Sequence, residues 1–132
     1  MNLIEKLIRV DKETVEKKET KKIRSARLTK LLGEETEITI QEVSGRKHND
    51  IMQMMFYEKG KRNISAAYDT NLMFCVNGVV EPDLKDTALL EHFNAATPKD
   101  LAAILFQAEA GTIADEIIAL SGLKTEEKEI KN

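Results

Sequence analysis

The chain is poor in the residue types that most chemistry needs. In 132 residues there is one cysteine, Cys75, two histidines, two prolines and no tryptophan, and aromatic residues make up 5%. A lone cysteine excludes an internal disulfide and any zinc site built on several cysteines. Cys75 itself lies in the apolar run "LMFCV" and reads as a small buried hydrophobe. Two histidines leave few general bases, and neither a G-x-S-x-G elbow nor a phosphate-binding loop occurs. No stretch approaches the roughly 18 consecutive apolar residues of a membrane span. The start, "MNLIEKLIRVDKE", carries charges inside its apolar run, unlike a secretory leader. Retention in the cytoplasm is the expectation, and with so few rings the core falls to Leu, Ile, Val, Met and Ala.

Charge is what the chain has in abundance: 33% of residues are charged against 42% hydrophobic, and the net charge is −3. The balance is uneven. Residues 1–32 hold ten Lys/Arg against five Asp/Glu, whereas residues 33–132 hold ten against eighteen. An acidic body repels nucleic acid and anionic lipid, while the basic arm suits an acidic partner or the protein's own body. The length is that of one domain with a real core.

Three regions follow from the patterning: an amphipathic start and charged linker over 1–22, a globular domain over 23–122, and a polar tail over 123–132. Leu3, Ile4, Leu7 and Ile8 form one stripe of a two-turn helix, too short to be stable undocked. From Asp11 to Lys22 only Val15 is apolar, which favours a linker over a solvated helix. Ala26, Leu28, Leu31 and Leu32 resume a helical pattern that Gly33 ends. "TEITIQEV" alternates, with Ile38 and Ile40 on one face, and is the clearest strand; "KKIRSA" at 21–26 is its weaker neighbour. A helix through "DIMQMMFYEKG" should stop at Gly60. The expected fold class is α+β, mainly helical, with a small two-stranded β element in the N-terminal third and a helical C-terminal two thirds.

Local rules conflict at 65–80. Asn77-Gly78 between apolar runs signals a hairpin, yet Pro82 cuts the second arm short, and Tyr68, Leu72 and Val76 recur at helical spacing. The helix, closed by Asn77-Gly78, is preferred. Asp83 or Asp86 caps a following helix with Leu89, Leu90 and Phe93; Thr97, Pro98 and Asp100 mark another helix start. Thr112 with Asp115 opens a last helix that stops at Gly122.

Glu81, Asp83, Asp86, Glu91 and His92 crowd into one stretch that resembles a site. The spacing lacks the central glycine and alternate acids of a calcium loop, and His48 is not at ligand spacing from His92. Helix capping accounts for most of it. "TALLEHFNAATPKDLAAILF" reads as helix, turn, helix, but its second helix offers Lys99 and Asp100 and then mostly apolar residues, with Gln107 late. A DNA-reading helix presents polar donors near its start. The basic run from Lys17 to Lys30 is interrupted by Glu19 and lacks interleaved aromatics. Binding of a protein partner remains, through the N-terminal stripe and through the apolar residues of 101–120, which cover more than one helix face; both sets read equally as core alone or as core with an added interface.

The order "RLTKLLGEETEITIQEVSGRKHNDI", "NGVVEPDLKD", "LLEHFNAATPKDL", "ADEIIALSGL" resembles the small tail assembly chaperones of long-tailed phages and phage-derived tail-like particles, of the type encoded by defective prophages of Gram-positive bacteria. "EPDLKD", "TPKDL" and "ADEI…LSG" are its most specific parts, and the likeness spans residues 3–122. The resemblance implies a non-enzymatic morphogenesis factor in the host bacterial cytoplasm, with no catalytic residue, metal or cofactor. Its partners would be the tape measure protein and the tail tube protein, with no nucleic acid and no membrane, and a homo-oligomer is compatible with it. Such a chaperone leaves before the tail is finished. A longer form made by frameshifting near "KTEEKEIKN" is a further habit of the family. The resemblance carries over no partner-binding residue. The alternative is a phage-associated DNA-binding regulator that uses the basic N-terminal arm.

Overall fold

The computed structural model describes residues 1–55 and 66–122. Two short helices come first, α1 (Leu3–Ile8) and α2 (Lys12–Glu16), each opened by an Asx cap: Asn2 Oδ1 accepts from Glu5 N at 2.9 Å and Asp11 Oδ1 from Thr14 N at 2.8 Å. The stretch expected as linker thus contains a helix, and strand β1 (Thr20–Arg24) starts before Lys22. Helix α3 (Ala26–Leu32) ends at Gly33, whose φ of 74° is the left-handed cap that glycine adopts at least cost. Strand β2 (Glu37–Gln41) buries Ile38 and Ile40, as its alternation demands. Helix α4 (Gly45–Met52) is capped by Ser44 and so starts before Asp50; a 3-10 turn follows at Gln53–Met55. The stop expected at Gly60 lies outside the described residues.

Helix α5 (Ala67–Gly78) passes directly into β3 (Val79–Glu81). Both signals at 65–80 therefore hold in part, the helix ending at Gly78 and a strand beginning at the next residue. The sheet is three-stranded and antiparallel, in the order β1-β2-β3, rather than two-stranded. Thr39 faces Glu81 and Ile40 faces Val79 across an irregular register. Pro82 holds β3 to three residues, too few for alternation to show, so long-range pairing with β2 is what makes it a strand.

Helices α6 (Thr87–His92), α7 (Pro98–Phe106) and α8 (Glu109–Leu120) follow. The core lies where α5 packs on α8 and α7, with β2 behind α8. Because neighbours surround α5, it buries Leu72, Phe74, Cys75 and Gly78 on more than one face, and Tyr68 is left exposed. Helix α8 starts at Glu109 and not at Thr112. Ala110 is fully buried, and its carbonyl faces Cys75 Sγ at 3.7 Å. That packing outweighs the weak helix propensity of Gly111 and the cap signal of Thr112. Gly122, at φ 76°, follows the helix end as expected.

Candidate functional site

The crowded acidic stretch resolves into helix punctuation. Asp86 Oδ1 accepts from Leu89 N at 2.9 Å and caps α6, while Asp83 Oδ1 accepts from Lys85 N at 3.0 Å in the turn before it. His92 stands edge-on to Phe93, 4.8 Å between ring centroids, and Glu91 is exposed. Glu81, Asp83, Asp86 and His92 do border one shallow, open depression. Among the described residues, however, no three His, Cys, Asp or Glu side chains are grouped to hold a metal ion. At the next helix Thr97 Oγ1 accepts from Asp100 N at 3.1 Å and donates to the Asp100 carboxylate at 2.9 Å, with Pro98 at the first position. The cap, the fixed φ and the acid agree as expected.

Cys75 has no exposed surface, and burial first, then the negative charge of Glu109, pushes its thiol up to about 12. A thiol held neutral at ordinary pH is no nucleophile. His48, half-buried, leans on the Phe74 ring at 5.4 Å between centroids.

Helices α7 and α8 are core elements. Leu101, Ala102, Leu105, Phe106, Ala110, Ile113, Ala114 and Ile117 are all buried, and no large side chain of either helix ranks among the exposed apolar ones. Most of the apolar surface expected to meet a partner on these two helices is packed into the core against α5, while Ile104, Ile118 and Leu120 remain half-buried. The same burial answers the helix-turn-helix reading. Lys99, at the start of α7, is paired with Asp69 at 3.3 Å, and Leu101, Ala102, Leu105 and Phe106 of that helix are buried.

The basic run is partly spent on the protein itself. Arg24 grips Glu35 with two bonds of 2.8 and 3.1 Å, which lowers the Glu35 carboxyl and raises the Arg24 guanidinium. Lys21 reaches Glu116 at 3.7 Å, and Arg27 Nε donates to Leu105 O at 3.3 Å.

The N-terminal stripe remains uncovered. Leu3, Ile4, Leu7 and Ile8 are 68, 69, 58 and 76% exposed, and neither α1 nor α2 buries a residue. Leu31 and Leu32 at the end of α3 form a second, smaller exposed pair. That pair was not legible in the sequence, where both leucines read as part of one helical pattern with Leu28. The distinguishing fact is that Leu28 alone of the three leucines is buried.

A closed core with an inert buried thiol, carrying a capped apolar helix whose stripe no described element buries, is the form of a protein that binds other proteins. The profile of the phage XkdN-like tail assembly chaperone proteins matches residues 4–132, and the chain belongs to that family, which is non-enzymatic. Searches of curated proteins and of solved structures returned no significant match. Among the described residues no helix is long and apolar enough to cross a membrane.

Proposed function

We propose that this tail assembly chaperone holds the tape measure protein soluble in the host cytoplasm and helps bring tail tube subunits to it, without remaining in the finished tail. The observation that carries the reading is the uncovered stripe of α1. Four apolar side chains on two helical turns gain nothing from water, and so short a helix is marginal until it docks. An amphipathic helix that lays its apolar face against a partner's helix is a common recognition mode. The caps at Asn2 and Asp11 pre-form the two short helices and lower the ordering cost of binding. The closed body supplies solubility, and family membership supplies the class of client.

Co-expression with the tape measure protein tests the proposal. The expected result is a soluble complex that elutes together and is lost in Leu7→Lys and Ile4→Lys. Both side chains are exposed, so the two variants should keep wild-type stability within about 0.5 kcal/mol. An equally insoluble tape measure protein with no complex overturns the reading. A complex that survives both substitutions moves the contact away from α1.

A further inference from the structure

We propose that the free edge of β1 is a docking edge for an extended acidic segment of a partner protein, added to the sheet as a fourth strand. The surface is separate from the α1 stripe and does not depend on it.

The ladder shows which groups are available. Glu42 N donates to Glu19 O and Ser25 N to Thr36 O, both at 3.0 Å, bracketing the pairs Lys21↔Ile40 and Ile23↔Ile38. Hydrogen-bonded pairs alternate along an antiparallel ladder. The odd-numbered residues therefore spend their main-chain groups on β2, and Thr20, Lys22 and Arg24 turn theirs outward. Among the described residues no hydrogen bond outside the ladder reaches those outward main-chain groups. The same three residues are exposed, with the half-buried Ile23 between them facing the protein.

Charge selects the occupant. Residues 17–30 hold seven Lys/Arg and one acid, in a chain whose remainder is acidic. Lys21 and Arg24 have partners in Glu116 and Glu35, but among the described residues Lys17, Lys18 and Lys22 form no ion pair. A second copy of the chain is a poor fit. Antiparallel pairing centred on Lys22 sets that lysine against its own image, and like charges directly opposite are destabilising. Lysine on an edge is a known guard against self-pairing. An incoming strand with Glu or Asp opposite Lys22 meets no such penalty. Main-chain bonds would then supply affinity and the lysines selectivity.

The test is amide NMR of the full chain titrated with a ten-residue peptide of alternating glutamate and threonine, with a lysine-threonine peptide as control. The acidic peptide should shift the Thr20, Lys22 and Arg24 amides and slow their exchange, and the control should do neither. Added salt, and Lys22→Glu in a chain whose circular dichroism is unchanged, should each weaken binding about tenfold. Lys22→Thr should keep the fold and lose much of the salt sensitivity. Equal response to both peptides, or shifts that map elsewhere, overturns the proposal. So does a Lys22→Thr chain that self-associates while the unaltered chain ignores the acidic peptide, since the lysines would then only guard the edge.

Discussion

Glu109, the first residue of α8, completes the N-terminal cap of α3, a helix that ends 77 residues earlier at Leu32. Ser25 Oγ donates to Glu109 Oε1 at 2.5 Å and accepts from Leu28 N at 3.1 Å, while Glu109 Oε2 accepts from Ala26 N at 2.7 Å and Arg27 N at 3.2 Å. The first three amides of α3 thus find acceptors from two distant parts of the chain. Ser25 is fully buried, so its hydroxyl has little access to water in place of the carboxylate beside it.

Removing that carboxylate should therefore cost more than losing an ordinary surface acid. Glu109→Ala is expected to destabilise the protein by about 2–3 kcal/mol and Ser25→Ala by about 1–2 kcal/mol. Denaturant unfolding of both and of the double variant gives the coupling, expected to be about 1 kcal/mol or more. Additive losses would mean that the two groups cap α3 independently.

At Gly78 helix α5 closely approaches α8. A Cβ added there would stand 2.5–2.8 Å from three Ile117 side-chain atoms. Gly78→Ala is expected to lose about 1–3 kcal/mol through overpacking. Ile117→Ala should be costly alone and yet recover part of the Gly78→Ala loss in the double variant, as read by urea midpoints. Glycine is needed at this position for space, whereas at Gly33 it is needed for its positive φ.

Gln107, between α7 and α8, has φ 51° and ψ −132°, a conformation that costs a residue with a Cβ about 1–3 kcal/mol. Its exposed side chain makes one bond, to Ile104 O at 3.3 Å. Gln107→Gly is expected to stabilise the protein and raise the melting temperature by several degrees. Calorimetry showing an unchanged or lower value would place the cost elsewhere.

Cys75 should resist thiol reagents in the folded protein at pH 8 and react at once in denaturant, because burial holds its thiol at about 12. The sign of the pH effect follows. The unfolded thiol ionises near 9.0, so stability from this group is intact below that pH and declines as pH rises from there toward 12. Reaction at the rate of an exposed thiol would show that α5 opens locally.

What was legible in the sequence was local. The caps at Asp86 and Thr97, the Gly33 stop and the alternation of Ile38 and Ile40 each depend on residues within a few positions, and all are found. The start of α8 was misread because Thr112 and Asp115 imitate a cap while the buried Ala110 carries the helix further back. Strand β3 was missed because three residues before a proline show no period of their own. The role of Glu109 left no local trace, since its partners lie more than 80 residues away.

By itself, then, the sequence determined the helix boundaries made by capping, the central strand and the family. All of these rest on the types and short spacings of residues. Only the tertiary structure decided which apolar surfaces stay open. Helices α7 and α8 are strongly apolar, yet α5 closes over them, while the shorter stripe of α1 stays exposed among the described residues. Burial is a property of neighbours, and neighbours are set by how the chain returns on itself.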